Sequence, residues 1–279
     1  MTSVFDSAES VLREWLRLPD AALVVLTSVT GGTLRACGAM MCVSAENIAG
    51  YISNGCVDAD VIARARAGQS GTFIYGEGSP YRDIVLPCGG RLELSIFQKI
   101  DSAIIKKALS KLEKREAVEL EIGDFSLSLS PLIKLRIAGR GAACIALSEL
   151  AQLSGFDVVL QSPDVEGVPD AQHLIDPNNP PPSEDDAWTA VVCLFHDHDW
   201  EPALLRQALD GEAFYIGAMG SERTHEIRCQ NLINIGLSKS DAARIHGPIG
   251  LVDSQRNARL LAVSILAEII QSAQRAELL

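Results

Sequence analysis

The 279-residue chain has no apolar run long enough to cross a bilayer. Its longest, Leu260 to Ile270, is interrupted by Ser264 and Glu268, and a spanning helix needs about 20 apolar residues. No basic segment leads into an apolar core at the start, Met1-Thr-Ser-Val-Phe-Asp-Ser, so a secretory leader is not expected. Positive charge is scarce: 24 Lys and Arg against 36 Asp and Glu leave a net charge of −12. With no local basic patch, such a chain is repelled by phosphate backbones and anionic lipid, so neither nucleic acid nor a membrane is an expected partner. Seven cysteines, at 37, 42, 56, 88, 144, 193 and 229, include no CxxC pair. An odd, scattered set reads as reduced thiols in a cytoplasmic protein, not as a disulfide framework. No internal repeat is visible. The 47% hydrophobic content suits a folded chain, and the length suggests about two domains.

What is present falls into two styles. An amphipathic helix is expected over Ser7 to Leu18, then strands at Ala22–Ser28, Gly38–Val43 and Ile48–Ser53, a helix at Asp58–Arg66 and strands at Gly71–Tyr75 and Arg91–Phe97. This mixed α+β domain is placed at 1–100. A charged helix over 101–116 and an alternating hairpin over 118–130 read as a solvated connector and an edge of the second domain, giving a linking segment at 101–130. From Leu135 the order becomes strand, glycine turn, helix. Strands at 135–138, 156–161, 189–195 and 213–216 alternate with helices, and a long helix closes the chain at 257–277. Such alternation argues for a doubly wound parallel sheet of Rossmann type over 131–279. The fold class is therefore α/β.

Four groups of residues could carry chemistry. Gly139-x-Gly141 follows a strand and opens a helix, where glycines permit a tight turn and the helix terminus offers N–H groups to a phosphate. The third position of that turn is Cys144, and Gln161-Ser162 stand where a strand-end acid would hold a ribose. The turn thus serves either a nucleotide or packing alone. His196-Asp197-His198-Asp199 sits at the end of a strand, as ligand contacts or as a loop ending in a helix cap. Tyr215-Ile-Gly217-Ala-Met-Gly220-Ser221-Glu-Arg223 repeats the strand–glycine–helix pattern, with Arg223 able to meet an anion. Cys56 and Cys88 each stand beside glycine in a turn (Gly55-Cys56 and Cys88-Gly89-Gly90), so their thiols are candidates for exposure, although no neighbouring His or Lys marks a thiolate. Cys37, Cys42, Cys193 and Cys229 read as core or incidental.

In their order these motifs resemble the XdhC/CoxI family of accessory proteins of xanthine dehydrogenase and related molybdenum hydroxylases. The residues carrying the likeness are Gly38-Ala-Met-Met, Ile52-Ser-Asn-Gly-Cys-Val-Asp58, Leu86-x-Cys-Gly-Gly90, Gly139-x-Gly141, His196-Asp197, Tyr215 to Arg223, His246-Gly-Pro-Ile-Gly-Leu251 and Ala262 to Ile270. The chain departs from the family pattern at Asn54, across 139–144, at Ser162 and at Val252-Asp-Ser-Gln255. The resemblance implies a dimeric chaperone without turnover of its own. It would bind molybdenum cofactor, as molybdopterin or its dinucleotide, protect it during sulfuration with a cysteine desulfurase, and deliver it to an apo hydroxylase. It also implies cofactor contacts from Gly55, Cys56, Cys88, Gly89 and Gly90, and from Gly139, Gly141, His196, Asp197, Gly217, Gly220, Ser221 and Arg223, with no metal ligands of the protein's own. Two other readings stand beside it. One is an NAD(P)-dependent oxidoreductase, against which the missing ribose acid and the lack of a Tyr-x-x-x-Lys pair argue. The other is a thiol enzyme that transfers sulfur through Cys56 or Cys88.

Overall fold

The computed structural model describes residues 7–32, 35–53, 55–81, 84, 86, 89–196 and 199–279. The chain divides into two compact units, Met1–Pro131 and Leu132–Leu279.

The first unit contains α1 (Ala8–Arg17), β1 (Ala22–Thr30), β2 (Met40–Val43), β3 (Ile48–Gly50), α2 (Asp58–Arg66), β4 (Gly71–Gly76), β5 (Arg91–Phe97), α3 (Ser102–Glu113), β6 (Val118–Ile122) and β7 (Phe125–Leu129). Five strands form an antiparallel sheet in the order β3-β2-β1-β5-β4, while β6 and β7 pair as a separate hairpin. Both faces of the sheet are covered, which is why β1 opens with an unbroken apolar run. Leu23 and Val25 pack with α1, α3 and the hairpin, and Val24 and Leu26 pack with α2 and Tyr75. The expected strand over Ile48–Ser53 stops at Gly50, whose φ of +84° leaves the β region. The N–H groups of Ile52 and Ser53 turn instead to the Asp58 carboxylate.

Segment 101–130 is not the solvated connector that its charges suggest. Asp101 caps α3 through a 2.9 Å bond from Ala103 N–H, and Ile105, Ala108, Leu109 and Leu112 bury one face of the helix in the first core. The lysines occupy the other face. Val118, Leu120, Ile122 and Leu129 of the hairpin enter the same core, so the hairpin belongs to the first unit and not to the edge of the second.

The second unit contains β8 (Lys134–Gly139), α4 (Ala142–Leu153), β9 (Asp157–Ser162), β10 (Gln172–His173), β11 (Thr189–Leu194), α5 (Glu201–Asp210), β12 (Tyr215–Ala218), α6 (Glu222–Asn234), α7 (Lys239–Ala242), β13 (Ile245–His246) and α8 (Ala258–Arg275). The six strands are all parallel, in the order β10-β9-β8-β11-β12-β13. This is the doubly wound Rossmann arrangement, whose order reverses between β8 and β11. Leu135, Ile137, Val192 and Leu194 pack under α4 and α8, and Val191, Cys193 and Ile216 pack under α5 and Leu232 of α6. Charged side chains also lie inside. Arg136, 1% exposed, forms a bidentate pair with Asp185 and lies 3.4 Å from Gln161 Oε1. No helix among the described residues is long and apolar enough to cross a membrane.

Candidate functional site

In an open parallel sheet, ligands bind beyond the carboxyl ends of the strands. At the reversal between β8 and β11, Gly139 pairs with Leu194. A Cβ on Gly139 would lie 2.6 Å from both Cys144 Sγ and the Leu194 carbonyl oxygen. Gly139 therefore makes room for the larger Cys144, and the departure at 144 is accommodated by packing. Gly141 takes φ +74° with open space before it, and it begins α4 with no side-chain cap. At the end of β9, the Ser162 hydroxyl accepts from Asp164 N–H at 3.0 Å, and Asp164 accepts in turn from Gly167 N–H. No carboxylate stands at 162 to hold a ribose.

A cleft lies one step along the sheet, past the ends of β11, β12 and β13. It has a volume of about 390 Å³ and is lined by Phe195, His196, Gly220, Ser221, Thr224 and the stretch Pro248–Gln255 without Leu251, among others. It brings together three of the expected residues, His196, Gly220 and Ser221. Gly139, Gly141, Gly217 and Arg223 do not line it. Gly217 serves packing, since a Cβ there would lie 2.7 Å from both Ile249 Cδ1 and Tyr215 Oη. Arg223 is exposed on the first turn of α6, which Ser221 caps by accepting from Thr224 N–H. Asp197 lies outside the described residues.

Two sets of polar contacts hold the cleft walls. Arg228 of α6 pairs with Glu201 at the start of α5 through two 2.9 Å bonds, each side chain 2% exposed, and also donates to the Met219 carbonyl at 2.5 Å. The loop after β12 is thereby tied to the first turns of two helices. Burial, and then the Arg228 charge, holds the adjacent His225 imidazole below its usual pKa. On the opposite wall, Ser264 of α8 accepts from Val252 N–H at 2.7 Å, and one turn later Glu268 accepts from Gly250 N–H. Burial would raise the Glu268 carboxyl, but bonds from His246 and Gly250 outweigh it and keep the group below the ordinary range. The sequence reading missed these four residues. A signal existed, because Ser264 and Glu268 are the two polar residues that break the Leu260–Ile270 run.

In the first unit, Asp58 organises the loop that carries Cys56. Its carboxylate accepts from the N–H groups of Ile52 (2.7 Å), Ser53 (3.2 Å) and Gly55 (2.6 Å) and from the Ser53 hydroxyl (2.6 Å). Burial works against the charged form, yet these bonds prevail and lower the Asp58 pKa. Gly55 takes φ +106° and Cys56 is exposed. Gly89 takes φ +67°, and the Gly90 carbonyl occupies the place of a Cβ on Gly76, at 2.0 Å. Cys88 lies outside the described residues. Burial raises Cys42 to about 11 and Cys144 and Cys193 to about 12, so these thiols are inert. Cys37, expected to be core or incidental, is exposed, and its thiol lies 3.1 Å from the Thr27 carbonyl. Among the described residues no group of three His, Cys, Asp or Glu side chains could hold a metal ion.

Comparison with known proteins gives matches over both units. Residues 135–269 match the model of the XdhC Rossmann domain, and residues 18–76 match that of the XdhC and CoxI family. A curated relative is the molybdenum cofactor insertion chaperone PaoD of Escherichia coli K12. It is 32% identical over 275 residues, an alignment covering 89% of this chain and 82% of the relative. A crystal structure described as a xanthine dehydrogenase from Bacillus halodurans superposes with a TM-score of 0.74, covering 96% of each chain at 19% identity, a likeness of fold.

Proposed function

Because the chain belongs to the XdhC and CoxI family, we propose that it is a molybdenum cofactor chaperone. It binds the cofactor as cargo, shields it while its terminal sulfur is installed with a cysteine desulfurase, and delivers it to an apo molybdenum hydroxylase, with no turnover of its own. The observation that carries this reading is the 390 Å³ cleft beside Gly220 and Ser221 at the start of α6. The positive end of a helix suits the phosphate that the pterin carries, and walls fixed by Arg228–Glu201 and Ser264–Glu268 keep the cleft preformed. The relative's name, a molybdenum cofactor insertion chaperone, supports the same cargo. Against hydride transfer stand the engaged hydroxyl of Ser162 and the packing role of Gly139.

Exposed Cys56, on a loop fixed by Asp58, favours a second reading in which a thiol of this chain handles the sulfur itself. The test is to mix apo-protein anaerobically with molybdenum cofactor, separate by size, and measure pterin fluorescence in the protein peak, with NAD(H) and NADP(H) as competitors. Stoichiometric pterin that nicotinamide nucleotides leave in place is the expected result. No pterin together with tight NADP(H) binding would overturn the reading. A Cys56→Ser protein that retains the cofactor but no longer supports sulfuration would select the second.

A further inference from the structure

One wall of the cleft carries polar side chains that have no partner among the described residues. Residues 250–252 are tied to α8: Gly250 N–H donates to Glu268, Val252 N–H to the Ser264 hydroxyl and Leu251 N–H to the Ser264 carbonyl. Asn257 fastens the far side by capping α8, accepting from the N–H groups of Arg259 and Leu260. Between these anchors Asp253, Ser254 and Gln255 are displayed in the lining of the cleft. Ser254 takes φ +56°, the left-handed region in which an L side chain crowds its own backbone. Such conformations persist where the surroundings impose them, and they gather at ligand sites. Several loop aspartates elsewhere close their own turns. Asp101, Asp164, Asp176 and Asp186 each accept from a backbone N–H two or three residues on. Asp253 accepts from none among the described residues, so both of its oxygens stay available at the cleft.

Resting on the chaperone reading above, we propose that Asp253 is the residue that reads the pterin ring, accepting two parallel hydrogen bonds from its N3–H and 2-amino groups. That edge of an aminopyrimidinone presents two donors side by side. An ionised carboxylate is acceptor-only and offers two oxygens, the match that makes a guanidinium–carboxylate pair bidentate and strong. The ring carbonyl beside these donors needs a donor in turn, which the half-buried Gln255 amide carries. Phe195, Met219, Ile249 and Leu261 supply apolar surface on which a flat ring can lie. The same cleft includes the start of α6 at Gly220 and Ser221, where the helix dipole is positive. Carboxylate and helix start therefore select opposite ends of one ligand, donors at the first and the phosphate at the second. This accounts for an acidic side chain in a cleft for an anionic cargo. It orients the cargo and turns away anions that lack the donor edge. Asp253 lies within 252–255, where the chain departs from the pattern of its family, so the contact is this chain's own.

The experiment is anaerobic competition on the full chain. Wild type and Asp253→Asn are loaded with molybdenum cofactor, and pterin, lumazine, inorganic phosphate or a nucleoside diphosphate is added. Lumazine has a carbonyl in place of the 2-amino group. Retained cofactor is read as molybdenum in the protein peak after separation by size. Pterin is expected to displace the cofactor from wild type at least about tenfold more effectively than lumazine, because a site built for a donor rejects the analogue that lacks it. Asp253→Asn is expected to hold the cofactor at least about tenfold more weakly and to lose the preference. Its melting temperature and its competition by inorganic phosphate stay unchanged, and Asp253→Glu, which keeps both oxygens, restores the preference. A wild type that releases its cofactor equally to pterin and lumazine overturns the assignment and leaves the chaperone reading standing. So does an Asp253→Asn protein that holds the cofactor as tightly as wild type. An equal loss toward pterin, lumazine and inorganic phosphate also overturns it, since the side chain then only shapes the cleft. A loss confined to the nucleoside diphosphate overturns it by assigning the carboxylate to a ribose diol. A wild type that takes up no molybdenum overturns the chaperone reading, and this assignment with it.

Discussion

Replacing Arg228 by Met tests whether the cleft wall rests on one buried ion pair. Both partners are 2% exposed and joined by two 2.9 Å bonds, and Arg228 also holds the Met219 carbonyl. Removing the cation leaves the Glu201 carboxylate in a low-dielectric site and frees a buried carbonyl. Breaking such a pair from one side costs about 3–5 kcal/mol, a large part of the total stability of an ordinary domain. With a urea slope of about 2 kcal/mol per molar, the midpoint falls by about 2 M. The assay is tryptophan fluorescence in a Trp15→Phe background, so that Trp188 and Trp200 report on the second unit alone. Removing the charge as well, in Glu201→Gln/Arg228→Met, recovers more than half of the loss. A loss below about 1 kcal/mol would refute the reasoning, since a solvated pair behaves that way.

Three further outcomes are expected. Glu268→Gln keeps an acceptor for Gly250 N–H but removes its charge, weakening the bond by about 1 kcal/mol at pH 7. Because the folded Glu268 pKa lies below the ordinary 4.5, its stabilisation is present above that value and lost as pH falls through the lower folded value. The urea midpoints of wild type and variant therefore converge in acid. Gly139→Ala forces a methyl to within 2.6 Å of Cys144 Sγ and the Leu194 carbonyl and destabilises the second unit by about 1–3 kcal/mol in urea denaturation. Adding Cys144→Ala returns only part of this, since the backbone contact remains. Asp58→Asn keeps the shape but weakens the charge-assisted bonds to Ile52, Ser53 and Gly55, so those amides exchange at least tenfold faster.

The sequence spoke most clearly where one periodicity ruled. The alternation of strands and helices from Leu135 onward leads directly to the parallel sheet, because the central strands β8, β11 and β12 are buried on both faces. β10 and β13, with 2 residues each, are too short to show a period. In α3 the charges were read and the Ile105–Leu112 stripe was not, although both occupy one helix on opposite faces. Gly139, Gly141 and Gly217 were legible as glycines, but their tasks were not: two of the three make room for the side chains of Cys144 and Tyr215. The Arg228–Glu201 pair spans 27 positions, and no local pattern announces a partner at that distance.

Helix α2 has a consequence that reaches past its own length. Its first residue, Asp58, gathers the loop of Cys56, while Asp60, two positions on, accepts from Tyr75 and Arg64. Arg64 lies over the ring of Tyr81 at 4.1 Å, at the start of the segment that runs to Leu86 and Gly90. The loop of Cys56 and the ring of Tyr81 are thus fastened to one helix. A tilt of α2 would therefore move the acceptor of the Ile52, Ser53 and Gly55 N–H groups and the cation over Tyr81 together. Whatever steadies α2 has already met part of the entropic cost of ordering both contacts, and order parameters measured at Gly55 and Tyr81 are expected to rise and fall together.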